Sequence, residues 1–108
     1  MSTAVEGFDA SIVNAALVAY VGRGDAVRPL RQSEVVRSLV GEGRSSELLA
    51  LVERINVAAD SIDVADDEAI EFSLVPAFNA KIRVRYPWID DQAGDALCWA
   101  SRYRRLFE

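Results

Sequence analysis

The chain has 108 residues, about half of them apolar, which fits one domain that buries roughly two thirds of its unfolded surface. Its 17 acidic and 12 basic residues give a formal charge of −5, which opposes binding to nucleic-acid phosphates. The longest uncharged stretch, residues 10–22, is too short to span a bilayer, and the first nine residues lack the basic head of a signal peptide. We therefore expect a cytoplasmic protein that binds neither nucleic acid nor membrane.

Apolar residues recur at helical spacing in five segments of the chain. The first segment, residues 11–21, is followed by Gly22, which favours the end of a helix. Ser33 is the expected N-cap of the second helix, whose apolar repeat stops before Gly41 and Gly43.

The third segment has the broadest apolar face and is the expected core helix. Ser45 or Ser46 should cap it. The residues expected to be buried on this helix are Leu48, Leu49, Val52 and Ile55.

A fourth helix is expected from Ser73 to the residue before Pro87, with Pro76 tolerated in its first turn. Asp90 or Asp91 should cap the fifth helix, which ends in an arginine-rich stretch that suits the negative end of the helix dipole. No segment alternates strictly enough to require a strand. The sequence therefore predicts an all-α, single-domain bundle of about five helices.

The residues that usually carry out catalysis are scarce. There is no histidine, so neither a Ser-His nor a Cys-His pair can form, and Cys98 is the only cysteine, which predicts a buried structural thiol. We expect no cofactor and no metal. Two carboxylates among Asp90, Asp91 and Asp95 could still act as a general acid and a general base. Three acids near a helix start are, however, typical of capping and solvation.

The stretch DSIDVADDEAIE, residues 60–71, holds six carboxylates and no basic residue. Its ends match the first and twelfth positions of an EF-hand loop, but Ile62 and Val64 occupy the third and fifth positions and Ala65 replaces the required glycine. A calcium loop is therefore excluded. Two interpretations stay open, a solvated connector and a surface for a basic partner.

Two stretches carry a resemblance to a known family. These are YVGRGDAVRPLR, residues 20–31, and RYPWIDDQAGDALCWASRYRRLFE, residues 85–108. They resemble the glycine-rich loop and the C-terminal helix of small helical bacterial immunity proteins of contact-dependent inhibition and related polymorphic toxin systems. Tyr86 stands where a histidine is common in that group. The resemblance implies protein binding without catalytic residues.

We predict a non-enzymatic protein that binds and neutralises a basic toxin domain, such as a nuclease. The predicted contact residues are Asp63, Asp66, Asp67, Glu68, Glu71, Trp88, Asp90, Asp91 and Asp95. The alternative is an adaptor or assembly subunit, and a small carboxylate enzyme comes third. If the acidic stretch is only a connector, the contact surface should lie around Trp88 and the basic end of the fifth helix.

Overall fold

The computed structural model describes residues 4–24, 27–62 and 74–107. Two short strands and five helices make up the secondary structure of this part of the chain: β1 (Ala4–Val5), β2 (Phe8–Asp9), α1 (Ala10–Val21), α2 (Ser33–Arg37), α3 (Glu42–Asp60), α4 (Leu74–Arg85) and α5 (Asp91–Phe107). The prediction of a mostly helical fold with five helices is confirmed. In the same ranges, every helix is too short or too polar to cross a membrane.

The hairpin formed by β1 and β2 was not predicted, because no segment of the sequence alternates strictly enough to require a strand. Val5 pairs with Phe8 in an antiparallel register, and the two-residue turn between them has positive φ angles at Glu6 (51°) and Gly7 (86°). Arg44 of α3 donates hydrogen bonds to both turn carbonyls, at 2.9 and 3.2 Å, and its guanidinium lies 4.0 Å from the centre of the Phe8 ring. A contact from a distant helix therefore fixes the turn.

The ends of α1 and α2 agree only partly with the prediction. Gly22 ends α1 in the left-handed conformation, with φ of 75°, as predicted. The N-cap predicted at Ser33 is wrong, because Ser33 is the first helical residue and Gln32 precedes the helix. The Gln32 side chain donates to the Ala19 carbonyl at 2.8 Å, which ties α2 to α1. α2 ends at Arg37, earlier than the apolar repeat suggested.

α3 begins before its predicted start. Ser45 and Ser46 lie inside the helix and do not cap it, and Gly43, which was expected to interrupt the helical pattern, is helical. Because Arg44 is held by the hairpin turn, the first turn of α3 is stabilised from outside the helix. The four residues predicted to be buried on this helix, Leu48, Leu49, Val52 and Ile55, are all buried, which confirms that prediction.

The connection between α4 and α5 is attached to α1. The buried side chain of Asn14 donates to the Trp88 carbonyl at 3.1 Å and accepts from the Asp90 amide at 3.0 Å. The Asp90 carboxylate accepts from the Ala93 amide at 2.8 Å, so Asp90 is the predicted cap of α5. Pro76 lies in the first turn of α4, where its missing N–H costs no hydrogen bond.

α5 is the central helix of the bundle and packs against α1, α3 and α4. Apart from Leu97, its inner side consists mainly of small buried residues, among them Ala93, Gly94, Ala96 and Ala100. These small side chains allow the neighbouring helices to approach closely. The larger side chains of α5 lie toward its C-terminal end, and several of them are exposed.

Candidate functional site

The last three turns of α5 present a row of large apolar side chains. Trp99, Tyr103 and Phe107 follow at intervals of four residues and so lie on one side of the helix. The rings of Tyr103 and Phe107 are 4.6 Å apart between centroids. Leu106 and Phe107 are 68 % and 70 % exposed, whereas Trp99 is half-buried against the core. We call these four residues the α5 contact face.

Grooves run along both sides of this face. The first, of about 330 Å³, lies between Val75 at the start of α4 and the contact face, and Cys98 contributes to its wall. The second lies between residues 28–31 and the rings of Tyr103 and Phe107. The aromatic pair is therefore a ridge between two depressions, which gives the surface a shape that a partner could match.

Arginines border the contact face, namely Arg23, Arg28, Arg31 and Arg102. Arg23 lies 5.2 Å from the centre of the Trp99 ring and forms a 2.8 Å ion pair with Asp95. Among the described residues that line the two grooves, Asp95 is the only acid. This surface is therefore locally positive on a chain whose formal charge is −5.

Cys98 is buried beside the first groove, as the sequence predicted. Burial raises the pKa of its thiol to about 11, and the neighbouring Asp95 carboxylate acts in the same direction. At neutral pH the thiol is therefore protonated and a poor nucleophile.

We expect the Cys98 thiol to react with a thiol-specific reagent far more slowly in the folded protein than in urea. Because its pKa is higher in the folded state, the unfolded chain loses the thiol proton first, from an ordinary pKa of 9.0. The folded state should therefore lose stability as the pH rises from about 9 to 11. Urea titrations across this range should show a smaller loss for Cys98→Ala; an equal loss would contradict the raised pKa.

The predicted contact residues fall into two groups. Asp63, Asp66, Asp67, Glu68 and Glu71 lie outside the described residues. Asp90, Asp91 and Asp95 all have partners inside the molecule. Asp90 caps α5, Asp91 pairs with Arg83 of α4 at 2.7 Å, and Asp95 pairs with Arg23 at 2.8 Å. The structure thus gives these three acids intramolecular partners on different elements.

Trp88 lies at the opposite end of α5 from the exposed Leu106 and Phe107. It is half-buried against the core, and its ring meets the ring of Tyr86 edge-on at 6.1 Å between centroids. Trp88 precedes α5, whereas Phe107 ends it, and a helix of this length extends about 25 Å. The structure therefore does not bring Trp88 together with the exposed aromatic residues.

The sequence prediction named the basic end of α5 as a second choice but missed its aromatic residues. Tyr103, Leu106 and Phe107 were not among the predicted contact residues. The signal was present, because aromatic residues recur every four positions from Trp99 through Tyr103 to Phe107, and no small core-facing residue follows Ser101.

A third concave region, separate from the two grooves, is polar. It lies among α1, α3 and α5 and is lined by Tyr20, Asn56, Asp60 and Arg104, among others. Three hydrogen bonds of 2.7, 2.9 and 3.0 Å connect the Arg104 guanidinium to the Asp60 carboxylate. Burial, and then the Glu53 carboxylate, raise the pKa of Tyr20, so its phenol stays protonated at neutral pH. Two acids, Glu53 and Asp60, and two arginines, Arg104 and Arg31, line this cleft, and Arg31 also lines the second groove.

Among the residues that the structure describes, no three metal-binding side chains of the His, Cys, Asp or Glu type come together. No protein-family model matches the chain, and neither a curated protein nor a solved structure is similar to it. The resemblance to immunity proteins therefore stays a prediction, and the surface itself has to support the function.

Proposed function

We propose that this chain is a non-catalytic protein-binding module that binds and neutralises a toxin domain, in the manner of small helical immunity proteins. The observation that carries the proposal is the α5 contact face with its bordering arginines. Contiguous exposed apolar residues on a small protein commonly mark an interaction site. Tryptophan, tyrosine and arginine are also the residues that contribute most to binding at protein interfaces.

The chemistry of the described residues supports binding over catalysis. Asp91 and Asp95 are each paired with an arginine, and Asp90 accepts a backbone N–H bond, so the carboxylates considered for acid–base work are already engaged. The only cysteine is buried with a raised pKa. Occluding a toxin's active site requires none of these groups to react.

A basic toxin domain, such as a nuclease that acts in the cytoplasm, fits the formal charge of −5. The long-range field of an acidic protein speeds its encounter with a basic partner, and the acids of residues 60–71 would add to this field. The alternative is an adaptor or assembly subunit that uses the same contact face. The two functions differ in whether the partner is a toxin whose activity is lost on binding.

The test is to look for a toxin domain encoded beside the gene of this chain and to express the two proteins together. Toxin activity and the dissociation constant of the complex are then measured. We expect one-to-one binding and loss of toxin activity. Phe107→Ser should weaken binding about 30-fold or more, which corresponds to a hot-spot loss of about 2 kcal/mol. Val84→Ser is the matched control, because Val84 is 86 % exposed but lies at the far end of α4.

Two results would contradict the proposal. If no neighbouring gene encodes a toxin that this chain binds and inhibits, the immunity function is wrong. If the toxin is bound but Phe107→Ser and Val84→Ser behave alike, the α5 contact face is not the binding surface. In that case, reversal of Asp66, Asp67 and Glu68 to lysine would test the acidic stretch by its effect on the association rate.

A further inference from the structure

Three of the arginines beside the α5 contact face differ from most other arginines of the described structure. Arg37, Arg44, Arg54, Arg83 and Arg104 each pair with a carboxylate. Within residues 4–24, 27–62 and 74–107, the guanidinium groups of Arg28, Arg31 and Arg102 form neither an ion pair nor a hydrogen bond. We call these three residues the arginine rim.

The arginine rim borders the half-buried Tyr103 and the exposed Phe107. Arg102 lines the first groove, and Arg28 and Arg31 line the second, where they lie beside Tyr103 and Phe107. Because none of these three guanidinium groups has a carboxylate or hydrogen-bond partner in the described ranges, all three are available to a partner around one apolar ridge.

We propose that the α5 contact face binds an acidic, amphipathic segment of the partner protein. An apolar side chain of that segment would enter the first groove, between Val75 and Leu106, and its carboxylates would pair with the arginine rim. This inference rests on the proposed function in one respect, namely that the α5 contact face is where the partner binds.

The chemistry of the surface selects this class of partner. Guanidinium groups bind carboxylates through two parallel hydrogen bonds, which gives both strength and orientation. The wall of the first groove is mainly apolar, with Val75, Trp99 and Leu106, and suits an aliphatic or aromatic side chain. An acidic segment with apolar anchors satisfies both sets of groups at once.

The formal charge of −5 does not oppose such a contact. In physiological salt the field of distant charges is screened beyond about 8 Å, so the arginines that touch the segment outweigh acids elsewhere on the surface. A partner can therefore be basic as a whole and still contribute an acidic segment at this position. A nucleic acid would also place anions and stacked rings here, but its phosphates and polar base edges would leave the mainly apolar first groove unfilled.

Binding can be followed through Trp99 fluorescence in a Trp88→Phe background, because the chain has two tryptophans. The probes are a synthetic amphipathic peptide with a leucine stripe flanked by glutamates, the same peptide with lysine at every glutamate, and oligothymidylate. We expect saturable binding of the glutamate peptide only. Preferential binding of the lysine peptide or of oligothymidylate, or no binding by any probe, would overturn the inference.

The arginine rim is tested by the triple variant Arg28→Glu, Arg31→Glu, Arg102→Glu. The matched control is Arg37→Glu, Arg54→Glu, Arg85→Glu, which changes the net charge equally at exposed positions on α2, α3 and α4. Circular dichroism spectra are compared with that of the unsubstituted protein to check that both variants are folded. Reversal of the rim should weaken glutamate-peptide binding about tenfold more than the control does. Equal effects would mean that only net charge matters, which would overturn the inference.

The same variants separate this inference from the proposed function when they are measured against the toxin. If the toxin is inhibited and Phe107→Ser weakens binding, but the two triple variants behave alike, the function stands and the acidic segment is wrong. If the glutamate peptide binds at the arginine rim but the toxin is neither bound nor inhibited, the surface chemistry stands and the immunity function is wrong.

Discussion

Replacing Gly94 with alanine should lower the free energy of unfolding by about 1–3 kcal/mol, the usual cost of overpacking a core. Gly94 is buried on α5 against the side chain of Asn79, which is buried on α4. A methyl group at Gly94 would lie 2.7 Å from the side-chain amide carbon of Asn79 and 3.0 Å from its amide nitrogen. It would also clash with the carbonyl oxygen of the Asn79 side chain. Because Asn79 is enclosed, either its side chain must leave its rotamer or the two helices must move apart.

The same substitution at Gly43 should have the opposite sign. Gly43 lies in α3, and a methyl group added there would meet no atom within 4 Å. Alanine at this position should therefore stabilise the protein by about 0.5–1 kcal/mol, because it restricts the unfolded chain and favours the helix. Urea denaturation of the two variants measures both effects. A Gly94→Ala variant as stable as the unsubstituted protein would contradict the close α4–α5 contact.

A second substitution identifies the side chain responsible. The Asn79 carbonyl oxygen is buried without a hydrogen-bond partner in the described structure, so truncation of this residue removes no hydrogen bond to that atom. In the double variant Gly94→Ala, Asn79→Ala, the added methyl group gains space. We expect the double variant to be more stable than the sum of the single changes predicts, by about 0.5–3 kcal/mol of coupling. Simple additivity would show that Asn79 does not cause the loss.

The helix ends show which parts of the fold follow from local sequence. Gly22 and Asp90 were predicted correctly, because each acts through its own conformation or its own carboxylate within three residues. The start of α3 and the hairpin turn were not predicted, because both depend on Arg44, a residue 37 positions away from Gly7. Glu-Gly is also a weaker hairpin signal than Asn-Gly, since glutamate rarely adopts a positive φ.

At the candidate site, too, the partners of charged residues are distant in sequence and could not be predicted. Nothing in the sequence separates a free carboxylate from a paired one, and Asp91 and Asp95 are paired by Arg83 and Arg23, the latter 72 positions away from its acid. The four-residue spacing of the aromatic residues that end at Phe107 can be recognised in the sequence, but the exposure of the Phe107 side chain cannot. That exposure arises because the neighbouring helices cover the small residues of α5 and leave its last turns uncovered.

The substitution Phe78→Ala should cost about 3–5 kcal/mol of unfolding free energy, which is a large part of the 5–15 kcal/mol typical of a domain of this size. Phe78 is 2 % exposed and belongs to the core cluster that joins α4 to α5. Its removal leaves a cavity that the surrounding helices can fill only partly, because alanine replaces a whole ring.

Phe107→Ala is the matched comparison, because it removes the same ring from a position that is 70 % exposed. The expected change is within about 0.5 kcal/mol, as for most surface substitutions. Urea or thermal unfolding of both variants decides the point. If Phe107→Ala were as costly as Phe78→Ala, the ring would be part of the core and the α5 contact face would not be a free surface. A stable Phe107→Ala protein that no longer binds its partner would instead assign the exposed ring to recognition, because nothing in the fold would then require it.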